Sequence, residues 1–167
     1  FIGVGPGDPE LLTIKALKEM PEMNSSFDGE LITKHENINL GIAVSVDGGL
    51  MVPCIKRCDE KNLLGICREL NAIVKKTRDK TIEPDDLQGS TFTLSNFGIF
   101  GATIGTPIIN QPNVGILGTG EIKKQPVVIE KNDTDVIAIR QIMSLSLGFD
   151  HRLIDGAGGA NFLLEIK

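Results

Sequence analysis

"INLGIAVSVDGGLMVPCI", residues 38–55, decides the fold class. Ile38, Leu40, Ile42, Val44 and Val46 occupy every second position, the period of a strand with one buried face. Asp47-Gly48-Gly49 follows at once, the residue types a tight hairpin turn requires, and the chain re-enters an apolar run. The hairpin puts an antiparallel pair in the sheet, so the sheet is mixed and not all parallel. The next segment changes period. From a cap at Asp59, Leu63, Cys67, Leu70 and Val74 fall at helical spacing up to about Arg78.

Both flanks extend this pattern. Upstream, residues 1–4 form a short apolar run stopped by "GPGDP", with Asp8 a helix cap and Pro9 the first helical residue. That helix runs to about Met20 with Leu11, Ile14 and Leu17 on one face, and Pro21 ends it. Downstream of Gly89 come the strand-like stretches "STFTLSN", "NVGILGTG", "QPVVIE", "DVIAIR" and "IMSLSLGF", with a glycine-rich loop after the first. "DGAGGANFLLEIK" closes the chain as a helix. The expectation is one α/β domain, a mixed sheet with flanking helices.

Composition narrows the function classes. At 167 residues, 41% hydrophobic and 23% charged, the chain suits a single folded domain. Seven Phe with no Trp or Tyr leave the core to Ile, Leu and Val and argue against base stacking. A net charge of −5 argues against a nucleic-acid partner. Lys56-Arg57 and Lys123-Lys124 are the local cationic pairs, read as solvated edges. Cys54, Cys58 and Cys67 lack the spacing of a zinc or redox site, so no metal is expected, and Cys67 falls on the apolar side of its helix. No apolar run approaches the roughly 20 residues of a membrane span. "FIGVGPGD" has no basic start and breaks at Pro6, unlike a signal peptide; it also lacks an initiator Met, so the true start is expected upstream of Phe1.

Two loops carry candidate chemistry. In "SLSLGFDHRLIDGAGG", residues 144–159, His151 ends an apolar strand on a short loop closed by glycine. An imidazole ordinarily titrates near neutrality and suits general-base work. Asp155, four residues on, can brace the loop by pairing with an arginine, Arg152 or another; the bland reading is a histidine that caps the strand. In "GSTFTLSNFGIFG" a strand ends at Ser95-Asn96 before Gly98 and Gly101 turn the backbone. A hydroxyl there can donate to an oxyanion in acyl transfer, or can simply finish the strand.

With "IKALKEMPEMNSS", "INLGIAVSVDGGLMVPCIK", "LQGSTFTLSNFGIFG", "GTPIINQPNVGILGTGEI" and "LSLGFDHRLIDGAGGANFL", residues 14–167 resemble the catalytic domain of the dihydrolipoamide acyltransferases, the core components of 2-oxo-acid dehydrogenase complexes. The resemblance implies a chloramphenicol-acetyltransferase-like fold; Asp150-His151 stands where that enzyme carries a double histidine. It implies His151 as base toward the thiol of coenzyme A or dihydrolipoamide, Ser95 as oxyanion donor and Asp155 as orienter of the loop. It further implies a homo-trimer within a larger core, with His151 and Ser95 of one site supplied by different subunits. Coenzyme A is then a substrate and the lipoyl group is carried on another domain or chain. The partners are the lipoyl domain and the 2-oxo-acid dehydrogenase and dihydrolipoamide dehydrogenase components, in the cytoplasm or, in a eukaryote, the mitochondrial matrix.

The opening departs from that family. "FIGVGPGDPELLTIKAL" resembles the start of the tetrapyrrole (precorrin) methyltransferases, which bind S-adenosylmethionine, though Asp8 breaks a dinucleotide fingerprint. Residues 1–13 are therefore expected to be a leader unlike the rest. Residues 14–167 are then an N-terminally truncated catalytic domain, lacking the family's opening elements and their arginines. Two alternatives follow: a truncated or chimeric core domain that folds or assembles without turnover and, more remotely, a methyltransferase fragment.

Overall fold

The computed structural model describes residues 2–3, 9–131 and 134–167. Residues 4–8, including the cap expected at Asp8, lie outside the described residues. In chain order the elements are β1 (Ile2–Gly3), α1 (Pro9–Glu19), β2 (Ser25–Phe27), β3 (Ile32–Lys34), β4 (Leu40–Val46), β5 (Gly49–Met51) and β6 (Cys54–Ile55). Then follow α2 (Leu63–Arg78), β7 (Phe92–Asn96), β8 (Gly115–Thr119), β9 (Lys123–Lys131), β10 (Thr134–Met143), β11 (Leu145–Phe149) and α3 (Gly156–Ile166).

The central sheet has the order β11-β8-β7-β4-β5, with β6 also on β4. β4, β7 and β8 run parallel, while β5, β6 and β11 are antiparallel to their neighbours. The sheet is mixed, as the Asp47 turn requires, and the fold is α/β. Leu40, Phe92 and Leu117 from the central strands meet Ile66 and Ile73 of α2 and Phe162 of α3 in one buried cluster, which α1 joins through Ile14 and Leu17. The rings of Phe92 and Phe162 lie 5.5 Å apart at a tilt. Burying such a side chain stabilises the fold by about 1.5–3 kcal/mol, so this cluster holds the helices on the sheet.

Three details differ from the sequence expectation. The helix expected from Asp59 begins at Leu63, because Asp59 Oδ1 accepts the Ile38 amide at 2.9 Å and Asn62 takes over the cap through the Gly65 amide. The run "IMSLSLGF" is two strands, broken where the Ser144 carbonyl accepts the Gly120 amide at 2.9 Å. The β2–β3 hairpin carries no alternation in sequence and was not expected.

β9 and β10 form a long ribbon joined at its base by β1, with Ile2 opposite Met143. In register, Val128 faces Ile137 and Pro126 faces Ile139, an apolar face with Ile137 78% exposed. No helix among the described residues is long and apolar enough to cross a membrane.

Candidate functional site

Parallel strands end together, and the crevice beyond their carboxyl ends is where open α/β sheets bind ligands. Here β4, β7 and β8 end beside the second half of α2 and enclose a cleft of about 370 Å³. Ser95 lines it next to last on β7, with Leu94, Leu117 and Val74 as apolar wall and Asn71 and Arg78 from α2. The Ser95 hydroxyl makes no hydrogen bond among the described residues, so it is available as a donor. Its neighbours across the sheet are Ala43 and Gly118, small residues that leave the serine uncrowded. A Cβ on Gly118 would stand 2.5 Å from the Phe97 ring, so only glycine lets the loop after β7 fold over this face.

His151 follows β11 and sits in a turn that several groups hold. The Asp150 amide donates to the Val114 carbonyl at 2.8 Å, and the Asp150 carbonyl accepts from Leu153 and Ile154, both at 3.0 Å. The Asp150 carboxylate takes the Arg152 guanidinium in a fork, with Nη2 to Oδ2 at 2.6 Å and Nε to Oδ1 at 2.9 Å. That fork, foremost, holds the Asp150 carboxyl below the usual aspartate range. Asp155 caps α3, its carboxylate accepting the Gly158 amide at 2.7 Å. The glycines explain themselves: a Cβ on Gly159 would stand 2.5 Å from the Phe149 ring, which packs 5.6 Å from the His151 ring. His151 itself is exposed, on a rigid support.

The expected pairing of Asp155 with an arginine is not found among the described residues, because its carboxylate is taken up by the α3 cap. Arg152 pairs with Asp150, and among the described residues no arginine lies within ion-pair distance of Asp155. The signal for the Asp150–Arg152 pair is that Asp and Arg flank His151 directly.

One chain does not bring Ser95 and His151 together. Ser95 is in register with Gly118, and Gly118 with Ser146. β11 runs antiparallel, so from Ser146 the chain travels away from the cleft for five residues before reaching His151. At a strand rise of roughly 3.3 Å per residue, that places the two on the order of 15–20 Å apart, at opposite ends of the strands.

The remaining candidates are structural. Cys54 and Cys58 are buried, and burial pushes the Cys54 thiol up to about 11, which leaves it inert at neutral pH. Cys67, expected in the core, is half-buried on α2. Among the described residues no cluster of three His, Cys, Asp or Glu is placed to hold a metal. The second histidine, His35, is half-buried with Nε2 2.9 Å from Ser26 Oγ.

Residues 12–167 match the 2-oxoacid dehydrogenases acyltransferase (catalytic domain) family. Among curated relatives, a Bacillus subtilis lipoamide acyltransferase component of the branched-chain alpha-keto acid dehydrogenase complex is 42% identical over 92% of this chain and 35% of its own. A Rickettsia conorii acetyltransferase component of the pyruvate dehydrogenase complex is 40% identical, over 94% of this chain and 37% of its own. A Haemophilus influenzae succinyltransferase component of the 2-oxoglutarate dehydrogenase complex is also 40% identical, over 92% and 37%. The chain spans about a third of the length of these relatives.

Among solved structures, a probable dihydrolipoamide acetyltransferase from Listeria monocytogenes superposes with a TM-score of 0.86 at 40% identity, covering 93% of this chain and 64% of that one. The Azotobacter vinelandii dihydrolipoamide acetyltransferase, studied for the role of a serine, a histidine and an asparagine in its mechanism, gives 0.85 at 37%, covering 95% and 65%. Chloramphenicol acetyltransferase, at 15% identity and a TM-score of 0.58 over 95% of this chain and 74% of that one, shares the fold.

Proposed function

The chain belongs to the catalytic-domain family of the 2-oxoacid dehydrogenase acyltransferases, and we propose that it moves an acyl group between dihydrolipoamide and coenzyme A at a site shared by two subunits. The observation that carries this reading is the placement of Ser95 and His151 at opposite strand ends of one sheet. Two complementary half-sites on opposite sides of a subunit call for a head-to-tail contact, which forms a ring where the rotation between subunits closes. A trimer follows the family resemblance. The two-stranded β9–β10 ribbon supports assembly, since an exposed apolar ribbon is marginal alone and is stabilised when a neighbour covers it.

In the proposed reaction His151 of one subunit takes the proton from the incoming thiol. Free thiols have pKa values near 8.5, so few are ionised at neutral pH and a base accelerates the step. The thiolate adds to the thioester carbonyl, and the Ser95 hydroxyl of the adjacent subunit donates to the oxyanion. Collapse breaks the old carbon–sulfur bond, and the departing thiolate recovers the proton from the imidazolium. Asp155 acts through the α3 cap and so fixes the turn.

The Azotobacter protein supports the assignment: its histidine and asparagine are four positions apart, as His151 and Asp155 are, and its serine and histidine are 52 apart against 56 here. Asparagine and aspartate are both strong helix caps, which fits a capping role at that position. Relatives acting in branched-chain, pyruvate and 2-oxoglutarate complexes match to nearly the same degree, so identity does not select the acyl group. Lipoyl domains and the other components of such a complex are the proposed partners.

A second reading, a core domain that assembles without turnover, is favoured by the lack, among the described residues, of an arginine within ion-pair distance of Asp155. Thiol release from acetyl-coenzyme A with free dihydrolipoamide separates the two. Turnover that vanishes in His151→Ala supports the enzyme; none in the wild type, with an intact oligomer, supports the second reading.

A further inference from the structure

Arg152 does more than pair with Asp150. Its guanidinium carbon lies 4.4 Å from the centroid of the Phe27 ring, on the far side of the chain in sequence. The two are brought together by the stretch 112–114, which serves both neighbours. On one side the Phe27 amide donates to the Pro112 carbonyl at 3.0 Å and the Val114 amide to the Ser25 carbonyl at 3.2 Å; on the other the Val114 carbonyl accepts the Asp150 amide. Ser25 and Val114 are fully buried, so this three-part ladder is sheltered from water. Phe27 and Arg152 project from its two flanks and meet over it.

The arrangement restricts the guanidinium in two directions. The Asp150 carboxylate fixes the fork in its own plane, and the Phe27 ring supplies a face on which a planar cation settles. Arg152 is the residue next to His151, and its amide also donates to Asp150 Oδ1 at 3.0 Å. Any freedom in Arg152 therefore passes directly into the turn that carries the imidazole.

We propose that Phe27 is a positioning residue for His151, acting through Arg152 and Asp150. The inference rests on the acyl-transfer reading for its kinetic consequence, though not for its structural one. Leucine at position 27 keeps apolar volume and removes the aromatic face; tryptophan keeps the face. In acetyl-coenzyme A assays on the full chain, Phe27→Leu should lower kcat about tenfold, within the range that loss of a cation–π contact and a small misplacement of a base span. KM for acetyl-coenzyme A should stay within about threefold, and Phe27→Trp should recover most of kcat.

A readout independent of turnover is the imidazole NMR spectrum, which has only two histidines to show. The His151 peak, identified by its loss in His151→Ala, should be single in the wild type and in Phe27→Trp and broadened or doubled in Phe27→Leu. A wild type without acyl transfer defeats the acyl-transfer reading and leaves this spectral test standing. An unchanged His151 peak in Phe27→Leu overturns the inference. So do equal losses of kcat in the Leu and Trp variants, or loss of the cooperative melt in Phe27→Leu, since either makes Phe27 a packing residue alone.

Discussion

Ser95 and His151 are fixed at opposite strand ends of one sheet, linked in register through Gly118 and Ser146. The antiparallel course of β11 causes this separation. Were β11 parallel to β8, its last residues would deliver the histidine to the cleft that Ser95 lines. The fold instead offers the serine at one end of its strands and the histidine at the other, to different neighbours.

Ser95→Ala should lower kcat by about 10²–10³, since the hydroxyl is proposed to meet charge that exists only in the transition state. KM should remain within about threefold, because the ground-state thioester offers it little charge. Steady-state kinetics on the purified oligomer decide this. A tenfold rise in KM with kcat intact would move Ser95 from oxyanion donor to substrate positioning.

Asp155→Ala should destabilise the domain by about 1 kcal/mol through loss of the α3 cap, while Asp155→Asn should lie within about 0.5 kcal/mol of wild type. Denaturant melts measure both. If Asp155→Asn loses as much as Asp155→Ala, the carboxylate charge matters and the cap hydrogen bond with Gly158 does not account for the residue.

Burial lowers the His35 pKa below its ordinary value. The native state then holds this imidazole neutral where the unfolded chain would protonate it. Its contribution to stability is present above the ordinary histidine pKa of about 6.5 and is lost as pH falls through the lower folded value. His35→Gln should flatten the fall of melting temperature between pH 7 and 5. An equal slope in wild type and variant would remove His35 from that response.

Much of this was legible in sequence where local chemistry decides the outcome. The alternation from Ile38 to Val46 and the Asp-Gly-Gly turn give β4 and its hairpin because both depend on neighbours a few residues away. Features set by distant partners were not legible. Asp59 looked like a cap until its carboxylate was taken by Ile38, 21 positions upstream. Ser144 divides an apolar run because its carbonyl serves Gly120. At the site, His151, Ser95 and Asp155 stood out by type and spacing. Their separation depends on strand register, and the contact between Phe27 and Arg152 joins residues 125 positions apart.

The shared site has one direct test, mixing two inactive chains. Ser95→Ala still carries His151, and His151→Ala still carries Ser95. Unfolded together in equal amounts and reassembled, the two variants should populate about a quarter of the inter-subunit sites with both intact residues, if subunits mix at random around a closed ring. Acyl transfer between acetyl-coenzyme A and dihydrolipoamide should then recover to about a quarter of the wild-type rate, far above either variant alone. Mixed oligomers, verified by mass, whose rate stays at the level of the single variants would contradict a site built from two subunits.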